Sequence, residues 1–169
     1  MGLIRDGRLV PDPFTDASGL GDVPAGVPVI VSLEQWQKYG ATLLAAGQPL
    51  GLRLRSDQPP KLVAADLRHL RVIALEFPKY RDGRAYTHAR MLRERLGFKG
   101  EIRAVGDVLQ EQLHFMQRCG FDAFDVAGPD PLQAWRTIAG DHTVWYQSTG
   151  DGRPRALAVR MKQPKGTGP

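Results

Sequence analysis

Short apolar runs alternate with amphipathic stretches along most of this chain, and the breaks between them fall on glycine, proline or aspartate. Residues 27–31, VPVIV, are rich in β-branched side chains and predict a buried strand. Ser32 and Gln35 then form a weak capping box that opens a helix running to about Ala46, where Gly47 stops it. Residues 50–55 predict a second strand. Pro59 and Pro60 open a short helix through Leu70, because a first helical turn does not use the N–H that proline lacks. Residues 71–77 predict a third strand, ended by Pro78. Asp82 is placed to cap a helix over 84–96, whose Ala85, Ala89, Leu92 and Leu96 form one apolar stripe. Residues 101–105 and 121–126 predict a fourth and a fifth strand. Between them a helix is expected over 108–118, capped by Asp107 and ended by Gly120. A fifth helix is expected over 131–139, and a hairpin over 143–161 turning around 150–154.

This alternation predicts an α/β fold: a mainly parallel five-stranded sheet flanked by helices, with right-handed crossovers and small N- and C-terminal extensions. The strand runs are apolar throughout, as expected when helices cover both faces. A partial (β/α) barrel repeats the same unit and is the alternative. Residues 1–163 fit one domain. Within it, 1–26 form a hairpin and loop extension, in which Asp6-Gly7 supplies the positive-φ turn of a hairpin over 3–10. Residues 164–169 are expected to be a flexible tail.

Composition narrows the function classes. The single cysteine excludes an internal disulfide and any multi-cysteine metal site, and suits a reducing, cytoplasmic setting. The four histidines show no ligand spacing, so no metal is expected. No run approaches the ~20 apolar residues of a membrane span, and the first residues, MGLIRDGRLVPDPF, do not read as a secretory signal. There is no G-x-G-x-x-G after a strand, no P-loop and no nucleophile elbow, so no cofactor is expected from motifs.

Charge changes the picture more. Residues 79–103 carry Lys79, Arg81, Arg84, Arg90, Arg93, Arg95, Lys99 and Arg103 against Asp82, Glu94 and Glu101, a balance that matches the +5 of the whole chain. The basicity is therefore local. The aromatics follow no RNA-recognition pattern and several arginines have carboxylates nearby, so nucleic acid is not the expected partner. In parallel sheets ligands sit beyond the carboxyl ends of the strands, which points to the turns after residues 77 and 105. There Lys79 and Arg84, with Arg103 reaching up from its strand, are candidate anion- or partner-binding residues. Glu76 and Asp107 are candidate proton-transfer residues. The bland alternatives are a strand-end ion pair for Glu76, helix caps for Asp82 and Asp107, a solvated helix face for Arg90, Arg93 and Arg95, a solvated or stacking His88, and an inert buried Cys119.

The stretch ALEFPKYRDGRAYTHARMLRERLGFKGEIRAVGDVLQEQLHFMQRCGFDAF resembles the core signature of the bacterial domain-of-unknown-function family 934. It departs at Tyr80, where the family often has Phe, and at Phe14, where Trp is common. Many members of that family carry the description probable oxidoreductase involved in sulfite reduction. The resemblance implies an accessory role in assimilatory sulfite or sulfate reduction, with a sulfite reductase component or a small anion as partner. It carries over no catalytic residues. A small enzyme acting on an anionic substrate by acid/base chemistry is the alternative.

Overall fold

The computed structural model describes residues 2–79, 81–126, 132 and 135. Among these, eight strands form one sheet: β1 (Gly2–Arg5), β2 (Arg8–Val10), β3 (Thr15–Asp16), β4 (Val29–Ser32), β5 (Leu50–Leu54), β6 (Val72–Phe77), β7 (Glu101–Gly106) and β8 (Ala123–Val126). Three α-helices accompany them: α1 (Leu33–Ala45), α2 (Arg84–Arg90) and α3 (Leu113–Arg118). The expected helix over 131–139, the hairpin over 143–161 and the tail lie outside the described residues, apart from Leu132 and Trp135, which are helical.

The strand order is β2-β1-β8-β7-β6-β5-β4-β3. From β3 to β8 every neighbour in space is also the neighbour in sequence, and all five pairings are parallel. β1 joins antiparallel to β8 and carries β2 at the rim. With right-handed crossovers, strands that follow each other without reversal place their helices on one face. The sheet accordingly curls into a half-barrel. The expectation of an open five-stranded parallel sheet is corrected here in two ways. The hairpin is part of the sheet, and among the described residues helices line only one face. Its turn is as expected: Asp6 and Gly7 have φ of 51° and 71°.

The main core lies between the helices and the outer face of the sheet. Trp36 and Leu43 of α1, Ala85 and Ala89 of α2, and Leu113 and Met116 of α3 pack on Val31, Leu52, Ile73, Leu75, Ile102 and Phe124. Fully burying a large aliphatic or aromatic side chain contributes about 1.5–3 kcal/mol, so this layer is the main source of stability. The inner face has a smaller cluster, Ile30, Val72, Ala74 and Val105, covered by Phe14.

Local departures from expectation have identifiable causes. The stretch after Pro59 and Pro60 forms two 3-10 turns, Pro60–Val63 and Leu67–His69, rather than one helix. The helix expected over 84–96 stops being α at Arg90 and closes with a π turn, Met91–Arg95, in which Leu96 N donates to Met91 O at 3.0 Å. The extra residue in that turn rotates the stripe. Leu92 stays fully buried, but Leu96 comes out half-buried at the rim. Ser32 and Gln35 do form the capping box of α1.

Candidate functional site

Side chains alternate across each strand, so the register fixes what faces into the half-barrel. One row across the sheet reads Ser32, Arg53, Ala74, Arg103, Ala123. Two arginines thus flank an alanine floor. Arg53 donates to Glu76 at 3.1 Å and to Asp16 at 2.8 Å. Arg103 donates to Glu101 at 2.8 Å and to Asp12 at 2.6 Å, with its guanidinium over the Phe14 ring. Arg103 is almost fully buried. A buried arginine needs such partners, because an unpaired charge there would cost several kcal/mol.

Asp12, Phe14 and Asp16 belong to the segment that precedes β4. It crosses the inner face like a strap, acid–aromatic–acid. Asp125 also faces inward, one strand beyond Arg103. No hydrogen bond reaches its carboxyl among the described residues, and burial pushes its proton affinity up, partly offset by Arg103 and reinforced by Asp12. Asp16 is the opposite case: burial raises it, but Ser18 and Arg53 outweigh that and hold it below the usual carboxylate range.

A second cluster sits at the carboxyl edge. Asp82 accepts from the backbone N–H and from the guanidinium of Arg84, and Arg84 also donates to the buried Ser56 hydroxyl at 2.8 Å. Arg84, with Ser56 close by, holds the Asp82 carboxyl well below its ordinary range. Four residues on, His88 is buried, with no hydrogen bond to Nδ1. Burial, and then Arg84, lowers its proton affinity. The expectation of a solvated His88 is thereby corrected: the side chain is buried. The N-cap of α2 is Gly83, so Asp82 orients Arg84 rather than capping the helix.

Of the five candidate residues two stand on strands, and three in the turns or the helix start at the carboxyl edge. Glu76 and Arg103 are on the inner face. Lys79 is exposed in the turn after β6, and Arg84 stands in the edge cluster with Asp82 and Ser56. Asp107 follows the close approach of Gly106 to β6, where a Cβ at φ +92° would stand 2.5 Å from Phe77 O. That same oxygen accepts the Asp107 N–H at 2.7 Å. Asp107 does not cap a helix: a 3-10 turn, Gln110–Gln112, comes first and α3 begins at Leu113. Tyr86 is packed in an aromatic cluster, 5.2 Å from Phe77 and 5.0 Å from Phe115 between ring centres.

Sequence reasoning missed Arg53, Asp125, Asp12 and Asp16. The signal for Arg53 was present: in L-R-L it must face opposite Leu52 and Leu54. The D-x-F-x-D alternation over 12–16 was the signal for the strap.

Asp125 gives a test with a definite sign. Its folded-state proton affinity is raised, so the folded protein binds the proton to higher pH than the unfolded chain does. The stabilising contribution is complete below the unfolded value of about 3.9 and is lost as pH rises through the folded value. Asp125→Asn is therefore expected to raise Tm at neutral pH, with the gain shrinking toward about pH 4. Thermal melts across that range check it; a gain that grows on acidification would contradict it.

Among the described residues no group of three or more His, Cys, Asp or Glu side chains could hold a metal, and no helix is long and apolar enough to cross a membrane. No curated protein matches the chain. Residues 51–156 match a family described as bacterial protein of unknown function (DUF934). This span begins in β5 and takes in the edge cluster, β6, β7 and β8. The chain belongs to that DUF934 family.

Proposed function

We propose that the protein is an accessory component of assimilatory sulfite or sulfate reduction that binds an acidic partner, or a small anion, at the turn after β6. The observation that supports the binding mode is the state of Arg84. Its fork is already fixed by Asp82 and Ser56 while more than half of its side chain stays exposed. A pre-oriented guanidinium loses little freedom on binding and favours carboxylate or oxyanion geometry. Lys79 and Arg81 are exposed in the same turn and pair with no carboxylate among the described residues. The binding surface within the 79–107 region thereby narrows to Lys79, Arg81 and Arg84, since Arg103 is consumed by internal pairs. The pathway itself is suggested by what members of the family are called.

The test is recovery of a sulfite reductase component with the tagged chain from its native cell. Arg84→Ala should fold normally by circular dichroism yet lower recovery about tenfold, the effect of removing one anchoring charge. If no reductase component is recovered and deletion of the gene leaves growth on sulfate unchanged, this reading fails.

A second reading is favoured by one observation on the inner face. Continuing the β7–β8 register by one residue, Glu76 and Asp125 stand two strands apart, about 10 Å at ~4.8 Å per strand. One is ion-paired with Arg53 and the other is undersolvated, an arrangement that gives two carboxyl groups different acid/base roles. An enzyme of this kind would lose turnover of an anionic substrate in Glu76→Gln and Asp125→Asn, and keep it in Arg84→Ala.

A further inference from the structure

The amino edge of the sheet, where β6 and β7 begin, has a groove of its own. Residues 64–65, 67–68, 70–71 and 96–100 enclose about 550 Å³. Ala64, Ala65 and Leu96 give it accessible apolar surface over the buried Leu67, Leu70 and Phe98, and Arg68, Arg71 and Lys99 supply its charge. No carboxylate lines it. The three cations are exposed, and none pairs with a carboxylate among the described residues. Many other arginines of the chain are neutralised. Arg5, Arg53, Arg55, Arg84, Arg90, Arg93 and Arg103 all have carboxylate partners. Arg68, Arg71 and Lys99 are thus among the cations left over from internal pairing, and these three stand together around one groove.

The chemistry of the groove selects its occupant. A small anion is best held by donors fixed in place, as Arg84 is. Here Arg68 touches only His69, at 3.0 Å, and Arg71 and Lys99 have no side-chain hydrogen bond among the described residues. A single-stranded nucleic acid needs exposed aromatic faces for stacking. The aromatic residue here, Phe98, is 5% exposed and lies under the Arg93 guanidinium. A polypeptide that carries carboxylates beside apolar side chains matches both halves of the groove. We propose that this groove docks an acidic, amphipathic segment of a partner protein, with its apolar side chains against Ala64, Ala65 and Leu96 and its carboxylates on Arg68, Arg71 and Lys99. Leu96, which follows the π turn, is half-buried: it packs on the main core and leaves part of its side chain at the rim of the groove.

The inference does not rest on the turn after β6. That turn is at the other end of a six-residue strand, about 20 Å away at ~3.3 Å per residue. Screening at physiological salt acts over ~8 Å, so the two positive edges are electrostatically independent.

The experiment uses the full chain and a fluorescein-labelled synthetic helical peptide of Glu and Leu, followed by anisotropy. Controls replace Glu with Lys, or Leu with Ser. The Glu/Leu peptide is expected to bind, and to bind more tightly as salt falls. Arg71→Glu combined with Lys99→Glu should weaken it at least tenfold with an unchanged circular dichroism spectrum. Ala65→Trp, a substitution at an exposed lining position, should block it without touching any charge. Arg84→Ala should leave it unchanged, which separates this site from the one proposed above. The proposal is overturned if neither the charge reversal nor Ala65→Trp affects binding, or if the Glu/Ser peptide binds equally well. It is also overturned if a single-stranded oligonucleotide binds more tightly with the same sensitivity to Arg71 and Lys99.

Discussion

Arg103→Ala is expected to destabilise the fold by about 3–5 kcal/mol, the usual result of breaking a buried ion pair from one side. Arg103 is 2% exposed and lies mid-strand in β7, where its guanidinium joins Glu101 to the strap through Asp12. Removing it leaves a cavity against Phe14. It also leaves Glu101, only 12% exposed at its side chain, with Arg5 at 3.3 Å as its one remaining salt-bridge partner among the described residues. Arg103→Met separates the two causes. Methionine refills the space and leaves Asp12 near solvent, so its loss should be clearly smaller than that of alanine. Urea unfolding of both variants measures the difference. Equal losses would mean that charge alone matters, and a loss below about 1 kcal/mol for alanine would refute the buried pair as a stabilising element. A large loss also removes Arg103 from the anion-binding candidates, because its charge is then committed to holding the strap.

Arg93→Ala is expected to cost about 2–4 kcal/mol, because charged hydrogen bonds contribute about 1.5–3 kcal/mol each and do not add fully. The sequence offered Arg93 as part of a solvated helix face. The structure makes it a clamp. Its Nε donates to Gly120 O at 3.0 Å, and Nη1 donates to Phe98 O and Gly100 O, each at 2.8 Å. Nη2 donates to Asp122, whose carboxyl also accepts from the Ile102 N–H at 2.9 Å. One side chain thus ties the π turn to the entries of β7 and β8. Burial raises the proton affinity of Asp122, and the Ile102 amide and Arg93 only partly offset this. Arg93→Lys keeps the charge but cannot reproduce the planar fork, so an intermediate loss is expected. If lysine and alanine unfold at the same urea concentration, the carbonyl bonds rather than the charge carry the stability. If neither differs from wild type, the clamp is not stabilising.

These two arginines also show what could be read from the chain. Strand positions were legible because β4 to β8 are apolar runs bounded by breakers. The hairpin turn and the cap of α1 were legible because their chemistry is local. The winding of the sheet was not, since the same βα unit builds an open sheet or a half-barrel. Which face lacks helices followed from winding, and so the meaning of Arg53, Glu76 and Arg103 was hidden. Arg103 was recognised as needing a partner, but Asp12 lies far away in sequence in a stretch that read as a loop. The partners of Arg93 are mostly backbone carbonyls, which no side-chain pattern reveals. The placement of Lys79 and Arg84 at the carboxyl edge was legible because it follows from the end of β6 and the turn after it, which consecutive residues carry.

The pairing of β1 with β8 sets an order of events during synthesis. β3 to β8 can be added one after another, each on the strand made just before it. The β1–β2 hairpin leaves the ribosome before the other strands of the sheet, yet Gly2 must pair with Val126. Until residues 123–126 emerge, Leu3 and Ile4, both almost fully buried in the finished fold, have no sheet to cover them. Nascent chains stalled before residue 123 should therefore expose this hairpin to protease and to hydrophobic-binding chaperones, and chains stalled well beyond Val126 should protect it.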